Sequence, residues 1–263
     1  MTAILIDLDG VIYQGDSAVP GALETLEWLR ERAIPRLFLT NTTSRPRSAI
    51  VDKLSRMGIR VGEEEILTPP VAARAWLTER GIDRVALFVP EATREELADL
   101  SALPEDRESG AGAVVLGDLG SGWDFATLNR AFRLLMAEPR PYLVALGMTR
   151  YWRAPDGLRL DTAPFVAALQ HATGTEPVVL GKPAAAFFEA ALGAVGSTAE
   201  ESLMIGDDIR GDICGAQACG IKGLLVRTGK FRDSDLQAGI KPHAVLDSIA
   251  GLPRWWRESF GSD

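Results

Sequence analysis

Ala3-Ile4-Leu5-Ile6-Asp7-Leu8-Asp9-Gly10 sets four apolar residues directly before two carboxylates and a glycine. A short aliphatic run bounded by a turn residue reads as a strand buried on both faces. In extended chain, positions i and i+2 project to the same side. Open α/β sheets bind their ligands off the carboxyl ends of strands. Asp7 and Asp9 are therefore candidates to face one site. The plainer reading of the same residues is a turn after a strand, with Gly10 supplying backbone freedom.

Working outward, the pattern alternates. Val19-Pro20-Gly21 opens a helix to about Arg32, with Pro20 near its first turn and Leu23, Leu26 and Leu29 as its apolar stripe. Arg36–Thr40 reads as a strand and Ser48–Met57 as a helix stopped by Gly58. Further strands are expected over Val85–Val89, Ala113–Leu119, Tyr142–Leu146, Val178–Leu180, Leu203–Ile205 and Gly223–Val226. Helices are expected over Phe125–Met136, Ala163–His171, Ala185–Val195 and Asp212–Cys219. Strand–helix alternation predicts parallel βαβ units and an α/β fold. Pro69-Pro70 and Pro177 mark where the chain passes between domains.

Composition narrows the function. With 263 residues the chain holds one large domain or two modest ones and needs no disulfide or metal staple. Its 28 basic and 36 acidic residues leave a charge of −8, against nucleic acid or an anionic membrane surface as a partner. Cys214 and Cys219 form no metal-binding pattern, and two cysteines suit a reducing cytoplasm. The N-terminus lacks a signal-peptide pattern, and no apolar run reaches membrane-spanning length.

Three more clusters follow apolar runs. Thr40-Asn41-Thr42 brings a hydroxyl and an amide to a strand end, which also suits a helix cap. Gly181-Lys182-Pro183 places a lysine where it can hold an anion, or simply stand in solvent. It is not a phosphate-binding P-loop, since Pro183 occupies the Ser or Thr position. Gly206-Asp207-Asp208-Ile209-Arg210-Gly211-Asp212 crowds three acids into six residues. Crowded carboxylates repel, and a hard divalent cation relieves that repulsion. Oxygen-only donors suit Mg²⁺ rather than zinc. The alternative is an acidic loop whose last acid opens a helix.

Taken together, Asp7 and Asp9, Thr40, Lys182, and Asp207 with Asp208 and Asp212 resemble, in chain order, the four motifs of the haloacid dehalogenase-like superfamily. About thirty residues separate Asp9 from Thr40 and about 140 separate Thr40 from Lys182. That spacing resembles the subgroup with a large α/β cap between the second and third motifs, which includes 4-nitrophenylphosphatase-like enzymes. Arg150-Tyr151-Trp152, Asp156-Gly157-Leu158 and Pro164-Phe165-Val166 look like that cap. Gly215-Ala216-Gln217 and Thr228-Gly229-Lys230-Phe231-Arg232 resemble the phospholysine phosphohistidine inorganic pyrophosphate phosphatase branch.

The resemblance implies a Rossmann-like parallel-sheet core over 1–72 and 178–263, with a cap inserted over 73–177. It implies a phosphatase acting on small phosphorylated molecules: phosphate esters, pyrophosphate or P–N bonds. Asp7 is then the nucleophile that forms an aspartyl-phosphate, and Asp9 the general acid and base. Mg²⁺ is held by Asp7, the Asp9 main chain and Asp207, with Asp208 and Asp212 in contact or through water. Thr40, Lys182, Asn41 and the backbone at Leu8 bind phosphoryl oxygens. Gly147, Met148 and Thr149 are the cap residues expected to reach substrate. Tyr151 and Trp152 are expected in the cap core; Lys230 and Arg232 are either substrate contacts or a solvated loop. Large-cap relatives often dimerise through the cap, so a homodimer is one implied assembly.

Rival readings share the same residues: a phosphotransferase or mutase using the same intermediate, a dehalogenase, a phospho-accepting signalling module, or a non-catalytic phosphate-binding regulator. Asp9 argues against a dehalogenase and the length against a signalling module. His171 and His243 lie outside all four clusters and read as structural or surface residues.

Overall fold

The strand Ala3–Asp7 is buried at every residue because it is central in a six-stranded parallel sheet. The computed structural model describes residues 2–154 and 156–261. The strand order is Ala244–Leu246, Lys222–Val226, Ser202–Gly206, Ala3–Asp7, Arg36–Leu39, Ile66–Leu67. Ile6 lies opposite Phe38 on one side and Ile205 on the other. An aliphatic run without polar alternation is what a strand covered on both faces requires.

Contacts divide the chain into two compact units. One comprises the residues up to Thr40, Ser48–Leu67 and everything from Lys182 onward; the other comprises Asn41–Arg47 and Thr68–Gly181. The first unit packs helices onto its sheet. Helix Ala22–Glu31 buries Ala22, Thr25, Leu26 and Leu29. Its inward stripe therefore runs through Ala22 and Thr25 rather than Leu23, which is 40% exposed. Trp255 and Trp256 lie on a final helix, Leu252–Phe260, half-buried against the same core. Trp256 meets Trp28 edge-on at 6.1 Å.

The second unit has its own five-stranded parallel sheet, in the order Pro177–Val179, Tyr142–Ala145, Ala113–Leu116, Arg84–Phe88, Ser101–Ala102. Phe88, Trp123 and Phe165 stack face to face beside it, with centroids 5.8 Å and 4.5 Å apart.

Two boundary expectations need correction. The strand expected over Val178–Leu180 as part of the first unit is Pro177–Val179, and it pairs with Tyr142–Ala145 in the second unit's sheet. Pro69-Pro70 lies where expected, directly after the chain passes between units at Leu67 and Thr68, and the two prolines occupy the first turn of a helix, Pro69–Glu79, where their missing N–H groups cost nothing. The second unit thus begins before residue 73 and ends after residue 177. Tyr151 and Trp152, expected in the cap core, stand 53% and 39% exposed on an antiparallel pair, Tyr151–Ala154 with Gly157–Leu160. The helix expected from Asp212 begins earlier, as a wide turn over Ile209–Cys214 that continues into Gly215–Ala218.

The stretch Asn41–Arg47 is tied into the second unit. The Arg47 Nε donates to Glu96 Oε2 at 3.0 Å, and the Arg47 backbone N–H donates to Glu96 Oε1 at 2.6 Å. Thr93 donates its hydroxyl to the Thr43 carbonyl. Both side chains of the ion pair are largely buried. Cys214 and Cys219 are free thiols. Among the described residues no helix is long and apolar enough to cross a membrane.

Glu96→Ala leaves a mostly buried guanidinium and a backbone N–H without their carboxylate. It is expected to cost about 3 kcal/mol. Urea unfolding, with the midpoint compared with wild type, checks this; an unchanged midpoint contradicts the anchoring role.

Candidate active site

Parallel pairing brings three of the four clusters to one edge. Asp7 ends its strand opposite Leu39, so Thr40 follows at the next position of the neighbouring strand. Asp207 follows Ser202–Gly206 on the other side. Asp7, Thr40 and Asp207 are all buried. Lys182 arrives by another route, since the strand before it belongs to the second sheet. The apolar run before Lys182 is thus a strand of the other sheet, unlike the runs before Asp7, Thr40 and Asp207. Lys182 is nonetheless buried in the first unit, with Nζ 2.5 Å from Asp7 Oδ1 and 2.7 Å from Asp212 Oδ1.

Burial and crowding dominate the electrostatics. Burial pushes the Asp7 carboxyl up to about 7; Lys182 pulls against that shift, and Asp212 and Asp207 add to it. Burial likewise pushes Asp207 up to about 6, against the N–H of Lys230. At Lys182 burial favours the neutral amine, but the charges of Asp212 and Asp7 outweigh it and hold the proton more tightly than usual. At Asp208 burial is outweighed by the N–H groups of Gly211 and Arg210 and by the Lys230 ammonium, so its carboxyl sits below the ordinary range.

Carboxylate oxygens of Asp7, Asp207 and Asp212 lie within 4.8 Å of one another. Asp207 Oδ2 accepts the Lys230 backbone N–H at 2.6 Å, while Asp207 Oδ1 is buried with no hydrogen-bond partner. An orphaned carboxylate oxygen in a buried acidic group is costly. A divalent cation satisfies that oxygen and cancels the mutual repulsion of the three acids. The donors are all oxygens, so a hard cation fits them best. A Cβ at Gly206 would collide with the Asp212 carboxylate, so glycine there keeps the space for it.

Asp208 is not in that group. Its Oδ1 accepts the N–H groups of Arg210 and Gly211 at 3.0 Å and 2.8 Å, capping the turn that carries Asp212. Asp9 is exposed in the turn after Asp7, and Leu8 is buried between them. In the second unit, Asn41 and Gly147 both neighbour Gly181: a Cβ there would stand 3.3 Å from Asn41 Oδ1 and 3.6 Å from Gly147 Cα. Met148 and Thr149 follow, both exposed.

Outside these clusters, His171 is exposed, and His243 Nδ1 accepts the Gly223 N–H at 3.2 Å, a structural role. The Arg232 guanidinium bonds the carbonyls of Lys230 and Phe231, fastening its own loop. Sequence reasoning missed the backbone N–H of Lys230 as a ligand of Asp207. A main-chain donor carries no residue signature; only the neighbouring Gly229 hints that backbone comes close there.

The chain as a whole is similar to known proteins. A family model described as haloacid dehalogenase-like hydrolase matches residues 4–102, and a second, HAD-hydrolase-like, matches residues 179–252. The chain is 36% identical over 252 residues to the human phospholysine phosphohistidine inorganic pyrophosphate phosphatase, covering 94% of this chain and 91% of that one. The p-nitrophenyl phosphatase from Archaeoglobus fulgidus superposes with a TM-score of 0.85 at 28% identity, covering 97% of this chain and 98% of that one. A glycerol phosphate phosphatase from Mycobacterium tuberculosis, solved in complex with calcium, gives 0.79 at 30% identity, covering 95% and 74%. The chain belongs to the haloacid dehalogenase-like hydrolases, on the large-cap phosphatase branch of that family.

The raised Asp7 and Asp207 values set a pH dependence in chelated protein. A carboxyl whose pKa is raised by folding contributes stability below the ordinary carboxylate range, and loses it as pH rises through about 7 for Asp7 and about 6 for Asp207. With EDTA present, the urea midpoint is expected to fall between pH 5 and pH 8, and to fall less in Asp7→Asn. Parallel midpoint curves for the two proteins would contradict the assignment.

Proposed function

We propose that this chain is a Mg²⁺-dependent phosphatase that hydrolyses small phosphorylated molecules through an aspartyl-phosphate on Asp7. The observation that carries this reading is the buried group itself: Lys182 between Asp7 and Asp212, beside an Asp207 oxygen with no partner. Asp7, Asp207 and the Asp9 main-chain carbonyl are the groups to hold Mg²⁺, with Asp212 and Asp208 supporting from behind. Bound there, Mg²⁺ supplies positive charge against the phosphoryl oxygens and keeps the neighbouring carboxylates ionised.

The chain's own residues do the rest. Phosphate esters resist attack because their charge repels nucleophiles, so the site must neutralise and align. Lys182 fixes Asp7 through one oxygen and leaves the other to attack phosphorus in line. Lys182 and Thr40, with the N–H of Leu8 and the amide of Asn41, bind phosphoryl oxygens. Asp9 is exposed beside Asp7, where its carboxyl can meet a bound substrate. It protonates the leaving oxygen, then takes a proton from the water that hydrolyses the aspartyl-phosphate. Gly147, Met148 and Thr149 select the leaving group. Tyr151, Leu158 and Leu160, exposed on the second unit's hairpin, support a homodimer formed through that unit.

The names of the relatives point to the substrates to try: pyrophosphate, phospholysine and phosphohistidine, 4-nitrophenyl phosphate and glycerol phosphate. Phosphate release from these is expected to require Mg²⁺, to stop with EDTA and to vanish in Asp7→Asn. Lys182→Ala is expected to lose about 10²–10³ in kcat. Retained turnover in Asp7→Asn would remove the covalent mechanism. Transfer of phosphate to an added alcohol in preference to water would favour the phosphotransferase reading.

A further inference from the structure

Asp207 is held by a loop from the far end of the chain. The Lys230 N–H reaches Asp207 Oδ2 at 2.6 Å. Two residues earlier, the Thr228 hydroxyl donates to the Gly10 carbonyl at 2.5 Å. That one bond ties the loop after Lys222–Val226 to the turn that follows Asp7 and Asp9. Gly10 and Gly229 sit where the loops cross. Both have positive φ, 89° and 63°, and a Cβ on either would collide with the Asp207 carboxylate. The crossing is thus closed around Asp207. One of its oxygens is engaged by backbone, and the other is buried without a partner.

We infer that Thr228 is a positioning residue for the metal site: its bond to Gly10 locks the Gly229-Lys230 backbone against Asp207 and thereby aims Asp207 Oδ1 at the cation. A carboxylate free to rotate would share its charge between two orientations. One pinned through Oδ2 presents Oδ1 in a single direction. Groups that orient a ligand in this way typically change metal affinity by about 10–100-fold when removed. On this reading Thr228 acts through the backbone it holds rather than by ligating the cation itself. Its effect therefore appears in metal affinity first, and in turnover only where Mg²⁺ is below saturation. The inference rests on the metal reading given under the proposed function.

The experiment is Mg²⁺ titration by calorimetry on the full chain, without substrate, for wild type, Thr228→Val, Thr228→Ser and Asp207→Asn. Thr228→Val keeps the shape and removes the donor; Thr228→Ser keeps the donor. Thr228→Val is expected to weaken Mg²⁺ binding about tenfold, with Thr228→Ser within about twofold of wild type and Asp207→Asn showing no binding. As a second readout, phosphatase activity of Thr228→Val is expected to approach wild type at saturating Mg²⁺, with the Mg²⁺ half-saturation point raised. Wild-type affinity in folded Thr228→Val overturns the inference, as does equal weakening in Thr228→Val and Thr228→Ser. If Thr228→Val does not fold, Thr228→Ala is compared with Thr228→Ser on the same criterion. Failure of the underlying metal reading looks different: wild type binds no Mg²⁺, or Asp207→Asn binds as wild type does.

Discussion

Three buried carboxylates crowd together beside the Lys182 ammonium in this molecule, and much else follows from that crowding. Asp7, Asp207 and Asp212 converge from a strand end, a neighbouring strand end and a turn; Lys182 meets two of them. Burial raises Asp7 and Asp207 well above the ordinary carboxylate range, and repulsion from Asp212 adds to it against the pull of Lys182 and, at Asp207, of Lys230. A protein tolerates such crowding where a ligand completes it. The parallel sheet makes the convergence possible, because its strands all deliver their carboxyl ends to the same edge.

Small residues and main-chain donors keep the acids in place. Gly206 leaves room for Asp212, and Gly10 and Gly229 leave room for Asp207. Asp208 caps the turn that carries Asp212, and the Asp208 N–H donates to Asp212 Oδ2 at 3.1 Å. Of the adjacent pair Asp207-Asp208, one acid faces the cluster and the other builds its scaffold. Their pKa values move in opposite directions for that reason.

Much of this was legible in the sequence. The strand before Asp7, the helix over Ala185–Val195 and the acid-rich turn after Gly206 follow from aliphatic runs and their punctuation. What escaped was partner choice. Pro177–Val179 is three residues long and looks alike whichever sheet it joins; only pairing with Tyr142–Ala145 assigns it. Pro69-Pro70 marks the passage between units but does not by itself announce the helix it opens, whose first turn is where proline is tolerated. Leu23 fits a helical stripe by spacing, but tertiary packing rotates the helix so that Thr25 turns inward in its place. Tyr151 and Trp152 suggested a core by their size, and the hairpin that carries them holds both out to solvent.

The places where the chain changes unit carry a consequence of their own. It leaves the first unit after Thr40 and after Leu67, and comes back at Ser48 and at Lys182. Leu67 ends the strand at one margin of the six-stranded sheet, so the long excursion departs where no further strand has to be displaced. Exchanging 68–181 at those junctions would also remove Glu96, the buried partner of Arg47, so Asn41–Arg47 has to change together with it.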